Sequence, residues 1–284
     1  MQRLLTAAVA TPLVLAAVFL LPGRWFFVFV AFAIEWAVWE YVAIVRQRVP
    51  HAPLWMLLGL VPVAAAVLSW WLSSEAQPVQ AGLPLLAAAA LMSVGVGTLV
   101  LFSRTPLEET LTALGVFGFG VPYFAVAIAS LYRIQQTANP GGEPHQGPWL
   151  VVLLMAIVWL GDTAAYYIGS RWGRHKMAPV ISPKKSWEGA AAGLLTGLVA
   201  AVAWSFLRIG RLDPRILAVA AGTAVAAQVG DLVESMIKRG AGVKDSGSIL
   251  PGHGGFLDRL DAMLFAAPVL LIGLWILRLD GLVP

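Results

Sequence analysis

Between Ser235 and Asp261 the chain places Lys238, Arg239, Lys244, Asp245, His253, Asp258, Arg259 and Asp261, with six glycines among them. Apolar runs border this segment on both sides. Ionisable groups beside such runs mark a functional site by default, because charge is costly near hydrocarbon. An ordinary solvated loop has no need of this ordering. On a helix, Asp231, Ser235 and Lys238 fall on one face at i, i+4 and i+7, and Glu234 joins them at i+3 of Asp231. Asp258 and Asp261, at i and i+3, share a face of the next helix, with Arg259 between them and directed elsewhere. Hard divalent cations take carboxylate oxygens, and Mg²⁺ is usually held by one or two carboxylates together with substrate phosphates. Asp231 with Asp258 or Asp261 fits that description. Lys238 and Arg239 close by suit a metal-bound polyphosphate better than a bare cation, and the matching chemistry is in-line displacement at phosphorus. His253 is compatible with a metal ligand, an acid or base, or a support for the glycine turn.

A second constellation lies upstream. Asp162 follows a dozen apolar residues and precedes Thr163, Ala164, Ala165 and Tyr166. A carboxylate there pairs with a cation, coordinates a metal or caps a helix. The loop that follows reaches Ser182, Pro183, Lys184, Lys185, Ser186, Trp187, Glu188 and Gly189. Pro183 blocks helix, the two lysines supply compact positive charge, and hydroxyls with backbone amides at the start of the next helix make an anion cradle. A basic loop attracted to anionic lipid is the simpler alternative. Glu188, in the first turn of that helix, also favours its dipole.

The elements that must position these residues are set by composition. Of 284 residues, 59% are hydrophobic, 12% are charged and 12 are Trp, and the mean hydropathy is +0.80. Such a chain is an integral membrane protein. A spanning helix needs roughly 20 apolar residues, and nine stretches qualify, near 4–22, 25–45, 54–73, 83–102, 111–132, 148–168, 189–208, 215–236 and 262–279. The runs are too long and too continuously apolar for barrel strands. The expected fold is therefore an all-α polytopic bundle, with the first stretch retained as a span because no small-residue cleavage site precedes Pro22 and Gly23. With no cysteine, a metal must be held by oxygen or imidazole.

Nine spans place Arg24, Arg133, Arg208, Arg211, Arg215 and Arg278 on one side and the other 13 of the 19 Lys and Arg residues on the N-terminal side. The positive-inside rule then puts the N-terminus and both charged loops in the cytoplasm. Ionisable groups are sparse before residue 148, which divides the chain into five N-terminal spans (1–147) and a catalytic region (148–284). Residues 135–148 read as an external, turn-rich loop. In the second span, Glu35 and Glu40 lie among Trp36, Trp39 and Tyr41, and the expectation is interfacial anchoring by the aromatics with a carboxylate reaching water. Gly95, Gly97, Gly115, Gly118 and Gly120 are expected to permit close helix contact.

Read in order, Ser235-Met-Ile-Lys238-Arg239, Lys244-Asp245 and Pro251-Gly-His253-Gly254-Gly255-Phe256-Leu-Asp258-Arg259-Leu-Asp261 resemble the signature of the phosphatidate cytidylyltransferases, also called CDP-diacylglycerol synthases. Asp162 to Tyr166 and Ser182 to Gly189 are similar to that family as well, with Ser186 where Thr is more usual. The resemblance covers roughly residues 160 to 265; the N-terminal half agrees only in being apolar spans. It implies transfer of CMP from CTP to phosphatidate with release of pyrophosphate, a requirement for Mg²⁺ with room for a second ion, a homodimer, and a multi-pass protein of the cell membrane with a cytoplasmic active site. On that basis Asp231, Asp258, Asp162 and Asp261 are the candidate metal ligands, and Asp231, Asp258, Asp261 and Lys238 the catalytic set. Ser182, Lys184, Lys185, Ser186, Ser235, Arg239, Lys244, His253 and Arg259 would bind substrate. Two other readings use the same residues: a CTP-dependent lipid kinase, and a cation transporter with ion sites at Asp162 and Asp231. Transport, however, needs neither the His-Gly-Gly turn nor the Ser-Pro-Lys-Lys segment.

Overall fold

The computed structural model describes residues 2–73, 93–103, 105–137, 146–247, 249 and 254–277, with side chains in the first helix from residue 8 on. His253, residues 83–92 of the fourth expected span, residues 138–145 of the expected external loop, and Arg278 lie outside them. Nine α-helices occupy the described residues: α1 (Gln2–Leu20), α2 (Gly23–Val45), α3 (Leu57–Ser73), α4 (Ser93–Phe102), α5 (Leu107–Gln135), α6 (Gln146–Trp172), α7 (Trp187–Ile209), α8 (Pro214–Gly240) and α9 (Leu257–Ile276). Seven apolar runs are long enough to cross a membrane: α2, the stretch Leu54–Leu72 that carries α3, and α5 to α9. Hydrocarbon offers no partner for backbone polar groups, so runs of this kind close their hydrogen bonds internally as helices. The chain has an all-α polytopic membrane fold.

Local chemistry sets the helix ends. Pro22 precedes α2 and Pro106 precedes α5. Gly210 ends α7 in the left-handed region at φ 77°, where a side chain would be strained. Asp213 caps α8 by accepting from the Arg215 amide at 2.9 Å and pairing with its guanidinium at 2.8 Å. At the centre lies α5, packed against α2, α3, α6 and α9, with Phe117, Phe124 and Ile128 fully buried. Helices α6 and α7 form one closely packed pair, α8 and α9 another.

Two expectations about the C-terminal half are corrected. The sixth span does not stop near residue 168. Helix α6 runs on to Trp172, with Arg171 in its last turn favouring the helix dipole; within it Thr163 donates to Trp159 O at 2.7 Å and Ser170 to Tyr167 O at 3.1 Å. Asp162 therefore sits inside a helix rather than at its end. The segment expected as a loop contains an antiparallel hairpin, β1 (Lys176–Ala178) with β2 (Ser182–Ser186), pairing Lys176 with Ser186 and Ala178 with Ser182. Pro183, which has no N–H to give a helix, is accommodated in this short ribbon. The hairpin is tied to α7 by Glu188, whose carboxylate accepts from the His175 amide at 3.2 Å and contacts its Nδ1 at 2.6 Å.

The glycine expectation is also corrected. A Cβ on Gly95, Gly97, Gly115 or Gly118 would meet nothing within 4 Å, and only Gly120 is close to a neighbour, Tyr41 Cε1 at 3.0 Å. Close glycine contacts lie elsewhere, among them those between α6 and α7. A Cβ on Gly193 would lie 3.0 Å from Gly161 O, and one on Gly189 would lie 2.7 Å from Ala165 O. Small residues at four-residue spacing let these two backbones approach. Gly193→Leu should therefore destabilise the protein by about 1–3 kcal/mol through overpacking. Gly115→Leu should leave the thermal unfolding midpoint in detergent unchanged, and equal shifts in the two variants would contradict this account.

Candidate active site

Close approach of α8 and α9 creates the site. Gly230 has no side chain where one would lie 2.7 Å from Asp261 O, and this allows the acidic residues of the two helices to meet. Asp231, Glu234 and Asp261 each offer one carboxylate oxygen, and the three lie within 4.8 Å of one another. Glu234 is 1% exposed and Asp261 9%. Positive charge is built in beside them: Lys185 Nζ is 2.6 Å from Asp231, and Lys238 Nζ is 2.6 Å from both Glu234 and Asp258. A buried lysine shared by two carboxylates ties α8 to the head of α9.

Asp258 is held from several sides. Besides Lys238 it accepts from the Gly255 amide at 2.9 Å and the Ser246 amide at 3.2 Å, while its own amide donates to Ser246 Oγ at 3.3 Å. Gly254, at φ 76°, stands where a Cβ would come 2.6 Å from Asp258 Oδ2. Both the left-handed backbone and the absent side chain are needed for this turn.

Of these groups, Lys185, Asp231, Lys238, Gly254, Asp258 and Asp261 line one cavity of about 1290 Å³, larger than the roughly 300–1,000 Å³ of a usual small-molecule site; Glu234 is not among its lining residues. Asp162, Lys184, Lys185 and Ser186 reach it from α6 and the hairpin; Asp231, Lys238, Lys244, Asp258, Arg259 and Asp261 reach it from the α8–α9 side. The two constellations separated in sequence thus face each other. Arg259, assigned by helical spacing to another face, also lines the cavity. Ser186 Oγ caps α7 by accepting from the Gly189 amide at 3.2 Å. Ser182 at the start of β2, buried Ser235 and exposed Arg239 are not among the lining residues, and Arg239 donates instead to Val243 O at 2.8 Å.

The sequence profile of the cytidylyltransferase family matches residues 1–277. The chain belongs to the cytidylyltransferase family. The phosphatidate cytidylyltransferase of Haemophilus influenzae is 31% identical over 287 residues, covering 94% of this chain and 96% of that protein. Its Pseudomonas aeruginosa namesake is 34% identical over 276 residues, covering 96% of each. A Staphylococcus aureus protein of the same name is 45% identical over 126 residues, 44% of this chain and 48% of its own. The chain is accordingly an enzyme, a membrane-embedded nucleotidyltransferase.

As a cytidylyltransferase site, the region has a donor set suited to a hard divalent cation: oxygens only, from three convergent carboxylates. Glu234 Oε1 is buried with no hydrogen-bond partner among the described residues, an orphaned acceptor of the kind a bound cation would satisfy.

Spacing alone passed over Ser246 and the role of Glu234. It misjudged Glu40, which is 4% exposed and faces inward instead of reaching water. A carboxylate in the middle of an apolar span was the available signal.

Removing the shared cation should be costly. Lys238→Met leaves Glu234 and Asp258 without their lysine, at about 3–5 kcal/mol, visible as a large drop in the unfolding midpoint. Lys244→Met, at an exposed cavity position, should stay within about 0.5 kcal/mol. Comparable losses in both variants would refute the pairing argument.

Proposed function

We propose that this enzyme transfers CMP from CTP to phosphatidate, giving CDP-diacylglycerol and pyrophosphate, at a cavity open to the cytoplasmic side of the cell membrane. The observation that carries this reading is one large cavity lined by Asp231, Asp261, Lys185 and Lys238, with buried Glu234 bonded to Lys238 and clustered with the two aspartates. Relatives bearing the phosphatidate cytidylyltransferase name over nearly the full chain support the choice of substrates.

Asp231, Glu234 and Asp261 are the residues that would hold Mg²⁺, with Asp162 beside Asp231 and Asp258 beside Lys238. When bound, the ion supplies positive charge to the triphosphate and to the leaving pyrophosphate. The chain's own groups do the rest. Lys184 and Lys185 receive phosphate oxygens from the hairpin side, and Lys244 and Arg259 from the α8–α9 side. Lys238, fixed between Glu234 and Asp258, keeps one cation at the floor of the site. A phosphate oxygen of phosphatidate forms the new bond to the α-phosphorus of CTP as the bond from that phosphorus to the bridging oxygen of pyrophosphate breaks. The attacking oxygen is already anionic, so no strong general base is needed. The lipid approaches along α6, where Tyr166 lines the cavity and Tyr167, Trp172 and Trp187 are exposed nearby. Aromatic side chains of this kind settle at headgroup depth. The catalytic machinery is concentrated in residues 148–284.

In detergent, label at the α-phosphorus of CTP should pass to lipid with stoichiometric pyrophosphate, only with divalent metal, and Asp261→Asn should cut turnover by on the order of 100-fold. Lipid labelled only from the γ-position would instead indicate a kinase, and ion flux in proteoliposomes without CTP a transporter. Topology is testable because the chain has no cysteine. A Lys244→Cys variant should react with an impermeant maleimide only from the cytoplasmic side; labelling from the opposite face would overturn the proposed orientation.

A further inference from the structure

We propose that Glu40, on α2 in the half of the chain remote from the catalytic motifs, is a positioning residue of the active site, a role that rests on the transfer reaction proposed above. Its carboxylate is 4% exposed and is met by three donors from the other end of the sequence. Oε1 accepts from the Phe256 amide at 3.0 Å, and Oε2 accepts from the Leu257 amide at 2.8 Å and from Ser246 Oγ at 2.9 Å. The first two are orphan donors at the start of α9, whose N-cap position, Phe256, has no side-chain cap of its own. Glu40 supplies that cap from another helix, where negative charge also suits the dipole.

The third bond leads to the chemistry. Ser246 gives its hydroxyl proton to Glu40, and its oxygen and amide both engage Asp258, which in turn holds Lys238 at 2.6 Å. Glu40, Ser246, Asp258 and Lys238 thus form a chain from α2 to the floor of the cavity. The sequence makes room for it. A Cβ on Gly247 would lie 2.6 Å from Glu40 Oε1, and one on Gly255 would run into Glu40 and Ser246. One turn before Glu40, Trp36 meets the Phe256 ring at 6.4 Å between centroids, so the same helix grips the segment twice. Three donors facing one side chain demand a group that only accepts. Glutamate meets that demand; glutamine would turn one acceptor into a donor.

A helix cap without catalytic consequence is the competing account, and Ser246 separates the two, since Ser246→Ala cuts the hydroxyl link between Glu40 and Asp258 but leaves the Phe256 and Leu257 amides capped by Glu40. We expect Glu40→Gln and Ser246→Ala each to lower kcat about 10–100-fold, with KM for CTP little changed. The double variant should be no worse than the single ones, and Glu40→Asp should recover part of the loss. Hydrogen exchange on the full-length protein in detergent should show faster exchange at the Ser246 amide in both single variants and at Phe256 and Leu257 only in Glu40→Gln, with the β1–β2 hairpin unaffected. Unchanged kcat in Ser246→Ala, or additive losses in the double variant, would overturn the proposal. Should the wild-type protein fail to transfer CMP, the transfer reading falls, while the exchange pattern still decides whether Glu40 holds this segment.

Discussion

One ammonium group holds the centre of this molecule together. Lys238 leaves α8 near its C-terminal end and places Nζ between Glu234 of its own helix and Asp258 of α9. In water such pairs contribute little. Here the lysine is 8% exposed and Glu234 1%, so each charge depends on the others for solvation, and removing any one strands the rest. The triplet fastens the C-terminal end of α8 to the head of α9, beside the close approach of Gly230 to Asp261 O.

The same logic runs outward to the rest of the cavity. Asp231 has its own lysine, supplied by Lys185 from β2. The two lysines differ in what surrounds them. Lys238 is locked by two carboxylates inside the helix pair, whereas Lys185 sits on a two-stranded ribbon fastened to α7 through Glu188 and His175. The floor of the cavity is thus pinned by two carboxylates, and a wall facing it is carried by a small hairpin. A polyphosphate entering with a divalent cation would meet lysines already oriented by carboxylates that the cation can then claim.

The apolar runs made the polytopic helical fold legible in the sequence, since a continuous hydrocarbon stretch near a bilayer has one way to satisfy its backbone. Asp231, Asp258, Asp261 and Lys185 were legible as cavity groups for a related reason: ionised residues near apolar runs are few and conspicuous. What was not legible depended on distance across the fold. Helical spacing directed Arg259 away from the site, but the cavity wraps around the head of α9 and includes it. Arg239 looked equivalent to Lys238 by type, yet its guanidinium is drawn to Val243 O at the end of its own helix. The glycines of α7 carry the close helix contact, and those of α5 mostly do not, because α7 meets another backbone and the α5 glycines mostly face open space.

Glu40 shows why a division of the chain at residue 148 describes motif density better than it describes the site. The motifs are concentrated after that point, but a glycine-rich segment with left-handed turns at Gly242 and Gly254 has little intrinsic preference for one path. Order has to be imposed from outside, and a buried acceptor on a rigid helix can do so with three bonds. Placing that acceptor on α2 makes assembly of the N-terminal bundle a condition for ordering Asp258. The apolar spans that look featureless in sequence are then the frame against which the head of α9 is set, and the Glu40 carboxylate is the point of attachment.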